Sequence, residues 1–206
     1  MSLSFILFML FVAMLLASLL IAAAAGIRTF LKRGKASSPH VSQPTVTSDR
    51  ANLADLLLLV AVAATWYNVS SGWVAEFTIY PIYPDMNEFG PQAFRGFGKA
   101  YLSRLPVIIL PAGVMFLAWA LLLWVPARGV SMKSIWLAVT LCTAFVAITP
   151  LPAGAQGEMY DKGFSVVVYD RLIWSNGLRA VLFTLVGLLA LYIVHHRWRA
   201  MNRADA

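Results

Sequence analysis

Five stretches of this chain, residues 3–25, 53–74, 105–125, 134–149 and 177–194, are apolar and almost free of charge. A helix needs about 20 such residues to cross a hydrocarbon layer of roughly 30 Å. Lipid offers the backbone no hydrogen-bond partner, so stretches of this kind must be helical to satisfy their own N–H and C=O groups. The runs predict an all-α integral membrane protein with five spans. Composition agrees: of the 206 residues 60% are hydrophobic and only 12% charged, against about a quarter charged in an ordinary soluble domain.

The first run stands apart from the rest. It lacks a basic segment before it, and its apolar core exceeds the 7 to 15 residues or so of a secretory signal, so it reads as a retained anchor. The expected organisation is an N-terminal transmembrane anchor over 1–33, a cytoplasmic Pro/Ser-rich linker over 34–52, a four-helix membrane core over 53–197 and a basic cytoplasmic tail over 198–206. The linker has nothing to bury. The anchor is expected as an appendage to the four-helix transmembrane bundle, there to dock a neighbour or brace the core.

Orientation follows from lysine and arginine, which resist translocation. Arg28, Lys32, Arg33, Lys35 and Arg50 follow the first span, Arg128 and Lys133 the third, and Arg197, Arg199 and Arg203 the fifth. The other side holds Arg95, Lys99, Arg104, Lys162, Arg171 and Arg179, diluted by Glu76, Asp85, Glu88, Glu158, Asp161 and Asp170. The expectation is a multi-pass protein with its N terminus non-cytoplasmic and its C terminus cytoplasmic. The net charge of +7 is then a basic inner rim facing anionic headgroups, and no nucleic-acid partner is expected.

Several chemistries lack their residues. One cysteine, Cys142, forms neither an internal disulfide nor a thiolate cluster. The histidines are His40 in the linker and the adjacent pair His195 and His196, whose side chains point about 100° apart on a helix. No metal site and no cofactor are expected, and no phosphate-binding glycine loop or nucleophile elbow occurs.

The non-cytoplasmic side carries the unusual residues. The first outer connection includes 92–104, where Phe94, Phe97 and Tyr101 recur at helical spacing, predicting a short surface helix. The second, 150–174, contains Gly154, Gly157 and Gly163 and then an apolar stretch over 164–169 that reads as extended. Together they are expected to form a lid. Beneath it, helical geometry sets Asn68, Gly72 and Glu76 on one face, with Trp73 nearby. Asn176 and Arg179 lie one turn apart at the start of the last span. Such polar groups in hydrocarbon must face protein or a wet cavity. Glu76 and Arg179 are expected as an ion pair locking two helices, as separate side chains snorkelling to the outer headgroups, or as the floor of a pocket bounded also by Tyr80 and Arg104. Trp66, Trp73, Tyr80, Tyr83, Tyr101 and Trp174 individually read as interfacial belt residues.

Tyr80-Pro81, a helix ending in Tyr101 and Arg104, Pro111 in the next span, Thr149-Pro150, and Trp174-Ser175-Asn176-Gly177-Leu178-Arg179 together resemble the small four-helix membrane proteins of the anthrone-oxygenase-like family over residues of about 53–195. The resemblance implies a four-helix bundle, with some members similar to cofactor-independent oxygenases acting on polycyclic aromatics. In such a reaction Glu76 or a tyrosine would act as base on an acidic phenol and Arg179 would steady the anion. This chain lacks the histidines common in that family and adds an N-terminal span.

Two functions follow as expectations. The first is a membrane accessory or structural subunit, partnered by the bilayer and by other membrane subunits or further copies of itself. The alternative is a membrane-embedded small-molecule enzyme or binding protein, with its pocket at the non-cytoplasmic face. Transport is disfavoured by the lack of an internal repeat.

Overall fold

A computed structural model of the chain describes residues 3–33 and 48–204. Helix α1 spans Leu3–Arg33 and α2 spans Ser48–Val74, continuing through a π-helical turn at Ala75–Ile79 into the short α3, Ile82–Glu88. Next come α4 (Pro91–Leu121), α5 (Met132–Ile148), α6 (Pro150–Lys162) and α7 (Val166–Ala204). Among the described residues there is no strand, and five helical segments are long and apolar enough to cross a membrane. The 39 residues of α7 amount to about 58 Å at 1.5 Å per residue. That is longer than the roughly 30 Å of a hydrocarbon layer, and charged residues stand at both ends of α7.

Several boundaries differ from those expected. The predicted surface helix over 92–104 is helical, but it is the first part of α4, which continues through Pro106 and Pro111 to Leu121. Neither proline ends the helix, in keeping with their tolerance where neighbouring helices shelter the freed carbonyl groups. The short separate helix in this connection is instead α3. The stretch 164–169 is not extended: Val166 to Tyr169 form the first turn of α7. The linker over 34–52 falls largely outside the described residues, and its last part, from Ser48, already belongs to α2.

Helix α5 meets α6 at Pro150 with almost no break. Proline has no N–H to bond to the carbonyl of Val146 four residues back. The Thr149 N–H takes that carbonyl at 3.2 Å while also reaching Phe145 O at 3.1 Å, and the Thr149 hydroxyl donates to Phe145 O at 2.9 Å. The hydrogen-bond ladder is thus repaired across the joint.

Small residues at close approaches and a few polar bonds join the helices. Helix α1 braces the bundle. It packs along α4, with Phe11 and Met14 against Gly113, where even a Cβ would stand 3.1 Å from the Phe11 ring. Helix α2 meets α4 through Trp119, whose indole N–H donates to the Thr65 hydroxyl at 3.1 Å in a fully buried position. It meets α7 through Trp73, which donates to Thr184 at 3.0 Å. Two apolar cores result. The larger runs through the middle of the bundle, and a smaller aromatic one, built on Tyr83, Phe94, Met159 and Leu172, closes the end that carries α3 and α6.

Candidate functional site

The aromatic end is a packed layer. Gly90, with φ of +91°, and Gly163, with φ of +102°, supply the reversals into α4 and out of α6, a backbone region costly for any residue with a Cβ. They bring Tyr83 of α3 edge-on to Phe94 and Phe97 of α4 at centroid distances of 5.9 and 5.5 Å. Tyr83 and Tyr80 are buried and are not interfacial belt residues, whereas Trp174 is 66% exposed, as a belt residue would be.

Buried tyrosines need partners for their hydroxyl groups. Gln156 of α6 provides them: its amide donates to Tyr83 at 3.2 Å and to Tyr80 at 3.4 Å. The Tyr83 hydroxyl shares a further, short hydrogen bond with that of Tyr160. Tyr101 of α4 lies beside Gln156 and Tyr80. Gln156 was not legible as a site residue in the sequence, where it sits in a Gly/Ala-rich run. Its one signal was its i, i+4 spacing to Tyr160, which sets both side chains on one helical face.

Directly beneath these hydroxyl groups lies a cavity of about 170 Å³. Phe11, Ile108, Phe145 and Phe183 make much of its apolar wall, so α1, α4, α5 and α7 all contribute. Its polar lining includes Asn68, Tyr80, Tyr101, Gln156, Asn176 and Arg179, with the hydroxyl residues Ser71 and Thr149. Of the residues singled out in the sequence, the structure brings Asn68, Gly72, Tyr80, Tyr101, Asn176 and Arg179 together around this space.

Glu76, Trp73 and Arg104 do not line it. On a helix of 100° per residue, Glu76 stands about 80° round from Asn68 while Ala75 stands about 20° the other way. Ala75, with Gly72 and Ser71, therefore completes the cavity face of α2, and Glu76 turns towards α7. There its Oε2 accepts from the Asn176 amide at 2.8 Å, and its Oε1 lies 3.5 Å from where a Cβ on Gly177 would be. Trp73 serves the α2–α7 contact and stacks on Phe77 at 5.3 Å. Arg104 is exposed.

Glu76 and Arg179 form no ion pair, which removes the first of the three arrangements expected for them. Arg179 sits with its guanidinium over the Phe145 ring, 5.1 Å from the centroid. Its Nε is sealed from solvent and makes no hydrogen bond, and the polar groups facing it are the hydroxyl groups of Tyr80 and Tyr101. A cation–π contact offsets part of the cost of burying a charge; it supplies no acceptor. Among the described residues no group of three or more His, Cys, Asp or Glu could hold a metal ion.

The arrangement can do one thing well. An apolar chamber with convergent donors and a cation at one side suits a small apolar molecule bearing an anionic or strongly accepting group. Comparison of the chain with protein-family models, with curated proteins and with solved structures finds no match to any of them.

Proposed function

We propose that this chain is a multi-pass membrane protein that binds a small molecule in the cavity, with the acidic group of the ligand against Arg179 and its apolar body against Phe11, Phe145 and Phe183. The observation that carries this reading is the guanidinium of Arg179, turned to the cavity without a carboxylate partner among the described residues. A buried charge left unpaired is strongly unfavourable, and an anionic ligand supplies the missing counter-charge. A cavity of about 150 Å³ holds benzene, so the present 170 Å³ suits about one aromatic ring. A polycyclic substrate of the anthrone-oxygenase kind would require the walls to part. Since Glu76 faces Asn176, the base called for by that resemblance would be Tyr80 or Tyr101.

Benzoate and its neutral isostere benzamide test the reading on the purified protein. Benzoate should raise the unfolding temperature more than benzamide does. Arg179→Gln should weaken benzoate more than tenfold and leave benzamide unchanged, because truncating one side of a buried charge pair costs about 2–5 kcal/mol. Equal stabilisation by the two probes in the unaltered protein would refute the assignment.

The accessory-subunit role is the second reading. It is favoured by Leu16, Leu20 and Ile27 of α1, which are 57%, 71% and 62% exposed on the side facing away from the bundle. Extraction in mild detergent that returns the chain alone as a monomer would remove it. In either role we assign the aromatic end, with the cavity, to the non-cytoplasmic side and the end bearing Arg28, Arg50, Arg128 and Arg197 to the cytoplasm, on the strength of the basic residues gathered there.

A further inference from the structure

At the end of the bundle opposite the cavity, three elements converge on Trp124. Arg28, near the close of α1, holds its guanidinium over the indole ring, 5.6 Å from the centroid. Arg50, in the first turn of α2, directs Nη2 to the Trp124 carbonyl at 3.5 Å. The indole N–H donates to Ile21 O at 3.2 Å, tying the α4–α5 turn to α1. Between the two arginines lies an open concavity of about 250 Å³, walled on its apolar side by Leu123, Pro126 and Met132.

The charges here are unbalanced. Among the described residues neither Arg28 nor Arg50 has a carboxylate within 4 Å. Asp55, a turn further along α2, is occupied by Arg197 at 2.6 Å. Asp49, exposed beside Arg50, forms no ion pair among the described residues. Two planar cations on separate helices, beside an apolar wall and an indole, match what a phosphate with an attached apolar chain requires. Guanidinium forks pair with phosphate oxygens in two-point fashion, and basic pockets between transmembrane helices collect anionic headgroups.

We propose that Arg28, Arg50 and Trp124 form an interhelical site for the phosphate of an anionic phospholipid headgroup, which clamps α1 to α2 and to the α4–α5 turn. A soluble phosphate shares the recognising chemistry and is separated from the lipid by experiment.

The test uses the full chain, purified in detergent and returned to nanodiscs of phosphatidylcholine, with phosphatidylglycerol or inorganic phosphate added in parallel. Native mass spectrometry and thermal unfolding should show retained phosphatidylglycerol and a stabilisation that phosphatidylcholine does not give. Arg28→Gln and Arg50→Gln should each lower the preference for phosphatidylglycerol about fivefold, the ratio equivalent to about 1 kcal/mol per basic residue at an anionic surface. Arg128→Gln, on the same rim but outside the concavity, should leave it unchanged. Equal retention of the two lipids by the unaltered protein would overturn the proposal without recourse to any variant, as would an unchanged preference in folded Arg28→Gln and Arg50→Gln. Stabilisation by inorganic phosphate alone would assign the site to a soluble anion and overturn the lipid.

Discussion

Gly98 and Gly96 lie two residues apart on α4, yet the structure gives opposite signs to the same substitution. Helix propensity alone makes Gly→Ala stabilising by up to about 1 kcal/mol at either position. At Gly96 a Cβ meets nothing within 4 Å, so that gain stands. At Gly98 a Cβ would be driven into the ring of Tyr160, 2.7 Å from Cγ and nearer still to the ring edge. The ring cannot simply swing away, because its hydroxyl is bonded to Tyr83, itself wedged between Phe94 and Phe97. Overpacking costs about 1–3 kcal/mol, and a displaced tyrosine forfeits a hydrogen bond of about 1 kcal/mol. Set against the propensity gain, Gly98→Ala should destabilise by about 1–3 kcal/mol. At about 2–4 °C per kcal/mol for a chain of this size, thermal unfolding followed by tryptophan fluorescence should fall by about 2–12 °C for Gly98→Ala and rise slightly for Gly96→Ala. Adding Tyr160→Ala should make the second loss less than additive with the first. A Gly98→Ala protein as stable as the parent would refute the packing of α4 against α6.

Three further outcomes are expected. Asn176→Leu leaves Glu76 without its donor and should destabilise by about 1–3 kcal/mol, an effect that Glu76→Gln in the same background should largely relieve. Trp73→Phe keeps the stack on Phe77 but deletes the bond to Thr184; unfolding in detergent should show a loss of about 0.6–1.7 kcal/mol, the range for interhelical bonds in membranes, and Thr184→Val should add little to it. With Cys142 replaced by alanine, a single cysteine at Arg95 should be labelled by a membrane-impermeant maleimide in intact cells and one at Arg128 only after permeabilisation; the reverse pattern would invert the assigned topology.

The five apolar segments were legible because long runs without charge are read directly from composition, but the joins between elements depend on single backbone bonds. Pro150 reads as a stop, yet in the folded chain the Thr149 N–H takes over the Val146 carbonyl. The helical spacing of Phe94, Phe97 and Tyr101 was visible, whereas its continuity with the apolar run from Leu105 was masked by Pro106. Asn68, Tyr80, Asn176 and Arg179 were recognisable as polar groups in apolar surroundings. Glu76 was assigned to the same face from its i+8 position, where 3.6-residue geometry has already carried it a quarter-turn away. Phe11 and Met14 looked like any lipid-facing pair; their role depends on Gly113, in a helix far along the chain.

The Thr149–Pro150 joint gives α6 the mechanics of a lever. Phe145 and Thr149 touch the cavity on the α5 side of the pivot, and Ala153 and Gln156 touch it on the α6 side. Gln156 is six residues past Pro150, an arm of about 9 Å, so a 10° rotation about the joint displaces its amide by roughly 1.6 Å, enough to part it from the hydroxyl groups of Tyr80 and Tyr83. The roof of the chamber and the straightness of one helix are therefore a single mechanical variable, and whatever grips Glu158 or Lys162 at the far end of α6 pulls on the tyrosines as well.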